Sequence, residues 1–148
     1  MEFSQILESA IALIGEGRPA LFTTLGEGGY PHSRWMTPAL LPRIKGTIFA
    51  VTSRGFPKVA EVEADPRVQW MIQAADFSLV ATLLGKASVV DDPAFCAEVI
   101  KAIGPNLGVF WRLNKDSSSL RVIETVIESA SILYPLRAER FSARSPHE

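Results

Sequence analysis

Near the start of the chain, apolar residues recur in three- and four-residue steps at Phe3, Ile6, Leu7, Ala10, Ile11 and Ile14. That spacing predicts an amphipathic helix ending near Gly15-Glu16-Gly17, with its stripe packed on the chain's own core rather than on a partner. Pro19 to Leu25 then predicts a first strand, and Gly26-Glu27-Gly28-Gly29 a hairpin turn into a second strand from Tyr30 to Pro38. Period-two alternation along this second strand places Arg34 and Met36 on one face and Trp35 and Thr37 on the other. An apolar run, Thr47 to Val51, leads into Thr52-Ser53-Arg54, and Pro57 to Pro66 predicts a short helix with a proline at each end.

Two more strands follow, Arg67 to Gln73 and Phe77 to Leu84, the latter continuing to Val90 through Gly85, where a bulge or sharp bend is expected. Asp92-Pro93 opens a helix with Phe95, Val99, Ile100 and Ile103 on its buried face, and Gly104-Pro105 stops it. Leu107 to Leu113 predicts another short helical piece, carrying Phe110 and Trp111. Leu120 to Glu128 fits strand and helix equally by spacing, and its β-branched content favours strand. Ser131 to Leu136 predicts the last strand. The polar stretch from Arg137 to Glu148 predicts a frayed tail, so the expected organisation is one domain over residues 1–136 followed by a tail over 137–148.

Composition narrows the function classes. At 148 residues, 47% hydrophobic and 21% charged, the chain is long enough for one ordinary core. A formal charge of −1 gives no electrostatic case for nucleic acid. The single cysteine, Cys96, excludes an intrachain disulfide and fits a reducing compartment. The N-terminus has no basic leader, and no apolar run approaches the roughly 20 residues that span a bilayer. A soluble, cytoplasmic protein is expected. His32 and His147 are the only histidines, so neither a histidine metal site nor a Ser-His-Asp set is expected. Cys96 has no histidine near it in sequence and is expected to be a buried small residue.

Candidate chemistry concentrates between Tyr30 and Pro66. The hydroxyls of Thr52 and Ser53 at a strand end, Lys58 in the next helical turn and the free amides of a helix start suit a phosphate. Arg34 on a neighbouring strand can add a forked pair of donors. For Thr52 and Ser53 the structural alternative is capping of a helix or turn. For Arg34, Lys58 and Arg54 it is a solvated surface position. The glycine cluster at 26–29 does not complete Gly-x-Gly-x-x-Gly, and Thr-Ser-Arg-Gly-Phe-Pro-Lys lacks the Gly-Lys-Ser/Thr ending of a nucleotide-binding P-loop. No group placed for strong acid–base work is evident, so in an enzyme a cofactor would carry the reaction.

Gly29-x-Pro31-x-x-Arg34 on one strand, Val51-Thr52-Ser53-Arg54 ending the next, then Lys58-Val59 and Pro66-Arg67-Val68, together resemble the pyridoxamine 5′-phosphate oxidase-like flavin proteins, in the general stress protein 26-like branch. The resemblance runs from about Arg18 to Leu136, and Gly85-Lys86-Ala87-x-Val89-Val90-Asp91 matches the family as well. It implies a mainly β, α+β fold: an antiparallel six- or seven-stranded split β-barrel with flanking helices, forming a homodimer with FMN at the subunit interface. By the same resemblance Arg34, Thr52, Ser53 and Lys58 would meet the FMN phosphate, with Val51 beside them. The ring would lie along the main chain of Trp35, Met36 and Thr37, while Gln73 is a weaker candidate for its polar edge. Phe110 and Trp111 could pack in the core or cover a partner's flavin.

The implied function is flavin-dependent redox chemistry on a small molecule. A non-catalytic flavin-binding stress protein or sensor is the alternative, and a barrel holding another planar ligand, a deazaflavin or haem, is a third. Oxidation of pyridoxamine phosphate itself is not implied. That enzyme's arginine strand carries a lysine after a run of aliphatics, whereas Arg34 is followed by Trp-Met-Thr-Pro-Ala, and its C-terminal substrate-binding segment has no match here.

Overall fold

The computed structural model describes residues 1–15, 18–53, 55–103 and 120–146. The expected helical piece at Leu107 to Leu113, with Phe110 and Trp111, lies outside the described residues, as do Arg54 and His147. Three helices, α1 (Phe3–Ile14), α2 (Pro57–Ala64) and α3 (Pro93–Ile103), flank seven strands. These are β1 (Ala20–Leu25), β2 (Pro31–Met36), β3 (Thr47–Ser53), β4 (Arg67–Gln73), β5 (Val80–Val90), β6 (Leu120–Tyr134) and β7 (Glu139–Arg144). The strands are antiparallel in the order β2-β1-β4-β5-β6-β3, with β7 added on β6. A bridge between Ala39 and Phe49 ties the chain leaving β2 to β3 and draws the two ends of the sheet together. This is the expected split-barrel architecture.

Two cores follow from strand alternation. Ile48 and Ala50 of β3 face the barrel interior with Phe22, Trp70, Leu83 and Ile123, and α1 closes that interior with Ile6, Ala10, Leu13 and Ile14. The opposite face of β3, Phe49 and Val51, packs on Cys96, Val99 and Ile103 of α3. Cys96 is therefore a buried small residue of this second core. The barrel interior is anchored by Phe22 against Trp70, ring centroids 4.5 Å apart, and the buried Trp70 indole donates to Thr125 Oγ1 at 3.1 Å.

The C-terminal third departs from the sequence expectation in two ways. Leu120–Glu128 and Ser131–Leu136 are not two strands but parts of one, β6, running from Leu120 to Tyr134. Pairing with β5 shifts between Leu84 and Gly85: Gly85 faces Ile127 and Leu84 faces Ser129, leaving Glu128 as an extra residue. Inward positions therefore step from Thr125 and Ile127 to Ala130 and Ile132, a phase change that imitates a strand break. The segment after Arg137 is likewise not a frayed tail throughout, because Glu139–Arg144 pairs with Ser129–Tyr134 as β7. Only Phe141 and Ala143 of β7 touch the core, so an edge strand with one wet face has the composition of a tail. β6 thus pairs with β3 along its first half and β7 along its second.

Gly85 is required at the bulge, since a side chain there would run into the Val126 carbonyl. Gly85→Ala should lower unfolding stability by about 1–3 kcal/mol, read from urea midpoints. Gly55→Ala, which meets nothing, should stay within about 0.5 kcal/mol of the parent.

Candidate functional site

The inner face of β1 is apolar at Ala20 and Phe22 and turns polar at Thr24, which is fully buried. Antiparallel register puts Met36, Arg34 and His32 of β2 opposite these three residues, on the same face. Arg34 is thereby aimed at the end of an apolar barrel, where an unpaired cation would be costly. Its Nη1 donates to Thr24 Oγ1 at 2.7 Å and its Nη2 to Glu61 Oε1 at 3.0 Å. Thr24 Oγ1 in turn donates a hydrogen bond to the same carboxylate oxygen at 3.1 Å. His32 Nδ1 lies 2.6 Å from Glu61 Oε2.

Glu61 stands on α2 with its side chain only 12% exposed. Burial alone would raise its pKa. Hydrogen bonds from Thr24 and His32, with the charges of His32 and Arg34, outweigh that and hold the carboxyl below its usual range. The contact with His32 needs Gly26, because any side chain there would collide with both His32 and Glu61.

Lys58, one helical turn before Glu61, has a different environment. Its Nζ sits 4.3 Å from the centroid of the Phe56 ring. Among the described residues no carboxylate pairs with it. Burial, with the Arg34 charge added, lowers its pKa to about 8. Arg34 and Lys58 are thus close enough to repel, and Glu61 compensates Arg34.

Thr52 completes the set. It is 1% exposed on the β3 face that carries Ile48 and Ala50, and its Oγ1 is buried without a hydrogen-bond partner. It does not cap α2, whose N-cap is Phe56 with no side-chain cap.

The other expected residues separate. Trp35 projects from the outer face of β2 and is 63% exposed, in register with Leu21, which in turn faces Met71. Met36 is buried in the barrel core, Val51 packs in the second core, and Thr37 follows the end of β2 half-buried. Ser53 ends β3 opposite Leu120, with its side chain outside the described set, and Gln73 ends β4 half-buried opposite Val80. The structure brings Arg34 and Lys58 together and leaves one buried hydroxyl, Thr52, unpartnered. Two mutually repelling cations and an orphaned donor fit a phosphate. Thr24, His32 and Glu61 were not among the expected residues. Glu61's position one turn after Lys58 was the only sequence signal for it.

Residues 7–134 match the family model described as pyridoxamine 5′-phosphate oxidase. The chain belongs to that family. Three solved structures illustrate the likeness. A Clostridium acetobutylicum protein related to general stress protein 26, of the pyridoxine phosphate oxidase family, superposes with a TM-score of 0.77 at 14% identity, over 97% of this chain and 96% of that one. A Listeria innocua protein described as a candidate pyridoxamine 5′-phosphate oxidase is 26% identical, with a TM-score of 0.67 over 86% of this chain and 97% of that one. An F420 reductase has a TM-score of 0.64 at 16% identity, over 80% and 93%, a likeness of fold. No curated protein matches in sequence. This member of the pyridoxamine 5′-phosphate oxidase family carries Arg34 on β2, Thr52 on β3 and Lys58 on α2.

Lys58 makes a pH test of the ligand-free site available. Its folded pKa, about 8, lies below its ordinary 10.5. Between those values the unfolded chain binds more protons, so this group adds stability as pH rises through the window and withholds it below. Lys58→Met should therefore be more stable than the parent near pH 7, with the gap closing toward about pH 10. Urea unfolding at the two pH values measures it, and a gap independent of pH would contradict the assigned strain.

Proposed function

We propose that this chain is an FMN-binding flavoprotein of the pyridoxamine 5′-phosphate oxidase family, acting as a flavin-dependent oxidoreductase on a small molecule. The observation that carries the reading is the Arg34–Lys58 cation pair, in which only Arg34 has a carboxylate, together with the unpartnered Thr52 hydroxyl. Arg34 and Lys58 would hold the phosphate, Thr52 and Ser53 would donate to it, and the main chain of Trp35, Met36 and Thr37 would line the ring beside Val51. FMN, when bound, supplies hydride and electron transfer. The protein's part is to bind and orient. Lys58 takes on full charge as the anion arrives, and Arg34 is already held by Thr24 and Glu61 at the barrel end.

A twofold dimer is part of the proposal. Trp35 with Leu21 and Met71, and Leu84 at 45% exposure, leave apolar side chains on the outer face of the sheet. Such surface is usually covered by a partner. Among the described residues no helix is long and apolar enough to cross a membrane, and we place the protein in the cytoplasm.

If Lys58 meets the phosphate, its charge-assisted hydrogen bond is worth roughly 1.5–3 kcal/mol. Lys58→Ala should then weaken FMN binding about ten- to a hundredfold, while riboflavin, lacking the phosphate, changes little. Quenching of flavin fluorescence by apo-protein reads both, and equal losses for the two ligands would sink the assignment. Oxidation of reduced nicotinamide by the FMN-loaded protein separates an enzyme from a flavin-binding sensor. Light scattering tests the assembly: the parent should be a dimer at tens of micromolar and Trp35→Glu a monomer.

A further inference from the structure

Glu61 divides its two oxygens between partners of different kinds. Oε1 takes the Arg34 guanidinium and the Thr24 hydroxyl, whereas Oε2 takes the His32 imidazole. His32 is 50% exposed, while Glu61 is 12% exposed. Imidazole is the side chain whose charge ordinarily changes between about pH 5 and 8. With His32 neutral, Glu61 receives at most a hydrogen bond there, and its full negative charge falls on Arg34. With His32 protonated, the carboxylate is compensated from its other side, and more of Arg34's positive charge acts outward.

We propose that Glu61 is a positioning residue whose hold on Arg34 is set by His32, so that the protonation of His32 tunes the affinity of the site for an anion. The proposal rests on the reading above that Arg34 meets the ligand's phosphate. Glu61 competes with that phosphate for the arginine, and His32 relieves the competition as pH falls.

Other charged groups surround this cluster. Glu27 on the hairpin, with Asp65 and Arg67 at the start of β4, lines the cavity beside Glu61. Asp65 and Arg67 pair at 2.7 Å, and the Arg67 hydrogen bonds hold Asp65 at about 2, so this pair keeps its charges. Lys58 on α2 titrates near 8, and the ligand's phosphate titrates near pH 6. The phosphate affects parent and variant alike at any one pH, whereas removing the Glu61 charge also changes the field at Lys58, so the His32→Asn comparison, made with Glu61 in place, is the arm that isolates His32.

Apo-protein is titrated with FMN and with riboflavin at about pH 5.5 and about pH 8, for the parent, Glu61→Gln, His32→Asn, the double variant and Arg34→Gln. At the higher pH Glu61→Gln should bind FMN about tenfold more tightly than the parent. At the lower pH the two should agree within about twofold, because protonated His32 has already compensated Glu61. With His32→Asn, whose amide still donates but cannot gain charge, the tenfold gap between single and double variant should persist at both pH values. The same effect is readable with Glu61 untouched: the parent should bind FMN several-fold more tightly than His32→Asn at low pH and equally at high pH. A Glu61→Gln gap that does not change with pH, or weaker binding by Glu61→Gln at high pH, overturns the proposal. Arg34→Gln separates the two levels. If it leaves the preference for FMN over riboflavin unchanged, the phosphate reading fails and the proposal with it; if it abolishes that preference while the gap stays flat, the proposal alone fails.

Discussion

Arg34 places a guanidinium on the inward face of a barrel, directly across from Phe22, and much of the site's construction answers that placement. The Arg34 side chain is only 23% exposed, and a cation drawn that far out of water without a partner is costly. Thr24 and Glu61 supply its acceptors, and Glu61 can reach it only because α2 lies against the end of the β1–β2 hairpin. The fit of helix to hairpin in turn needs a glycine at position 26, where His32 and Glu61 fill the space a side chain would take. The ion pair is thus also the joint that docks α2, and docking α2 brings Lys58 within the field of Arg34.

Glu61 serves Arg34, Thr24 and His32, and the Lys58 ammonium receives no carboxylate among the described residues. A buried unsatisfied hydroxyl such as that of Thr52 costs about 1–3 kcal/mol. A fold that retains a buried hydroxyl of this kind is less stable than it need be. Local conflicts of this kind concentrate where a ligand relieves them. Trp35 shows the same logic on the outer face, where a large side chain is left 63% exposed beside Leu21.

Strand alternation was legible along β2, where Arg34 and Met36 turn inward and Trp35 outward, because one face is buried and one is not. The proline-bounded helix α2 and the irregularity at Gly85 were legible for similar reasons of local chemistry. The length of β6 was not, because the extra residue Glu128 shifts the inward phase and a one-dimensional pattern registers that as an ending. β7 was hidden by having only Phe141 and Ala143 to bury. The Glu61 cluster was out of reach for a different reason. Its partners are 27 to 37 residues away in sequence, and the contact depends on a helix docking on a hairpin. In sequence His32 fits neither a metal site nor a triad, and its partner is a single carboxylate on another element.

If Lys58 meets the phosphate with its pKa held near 8 in the free protein, FMN binding should draw a proton onto it. Calorimetric titration of apo-protein with FMN near pH 8.5, in buffers of differing ionisation enthalpy, counts protons taken up on binding. FMN is already a dianion there, so uptake reports on the protein. FMN should bring uptake of a substantial fraction of one proton, riboflavin none, and Lys58→Ala should lose the FMN signal. Binding of FMN without proton uptake, or equal uptake with riboflavin, would contradict the phosphate role of Lys58.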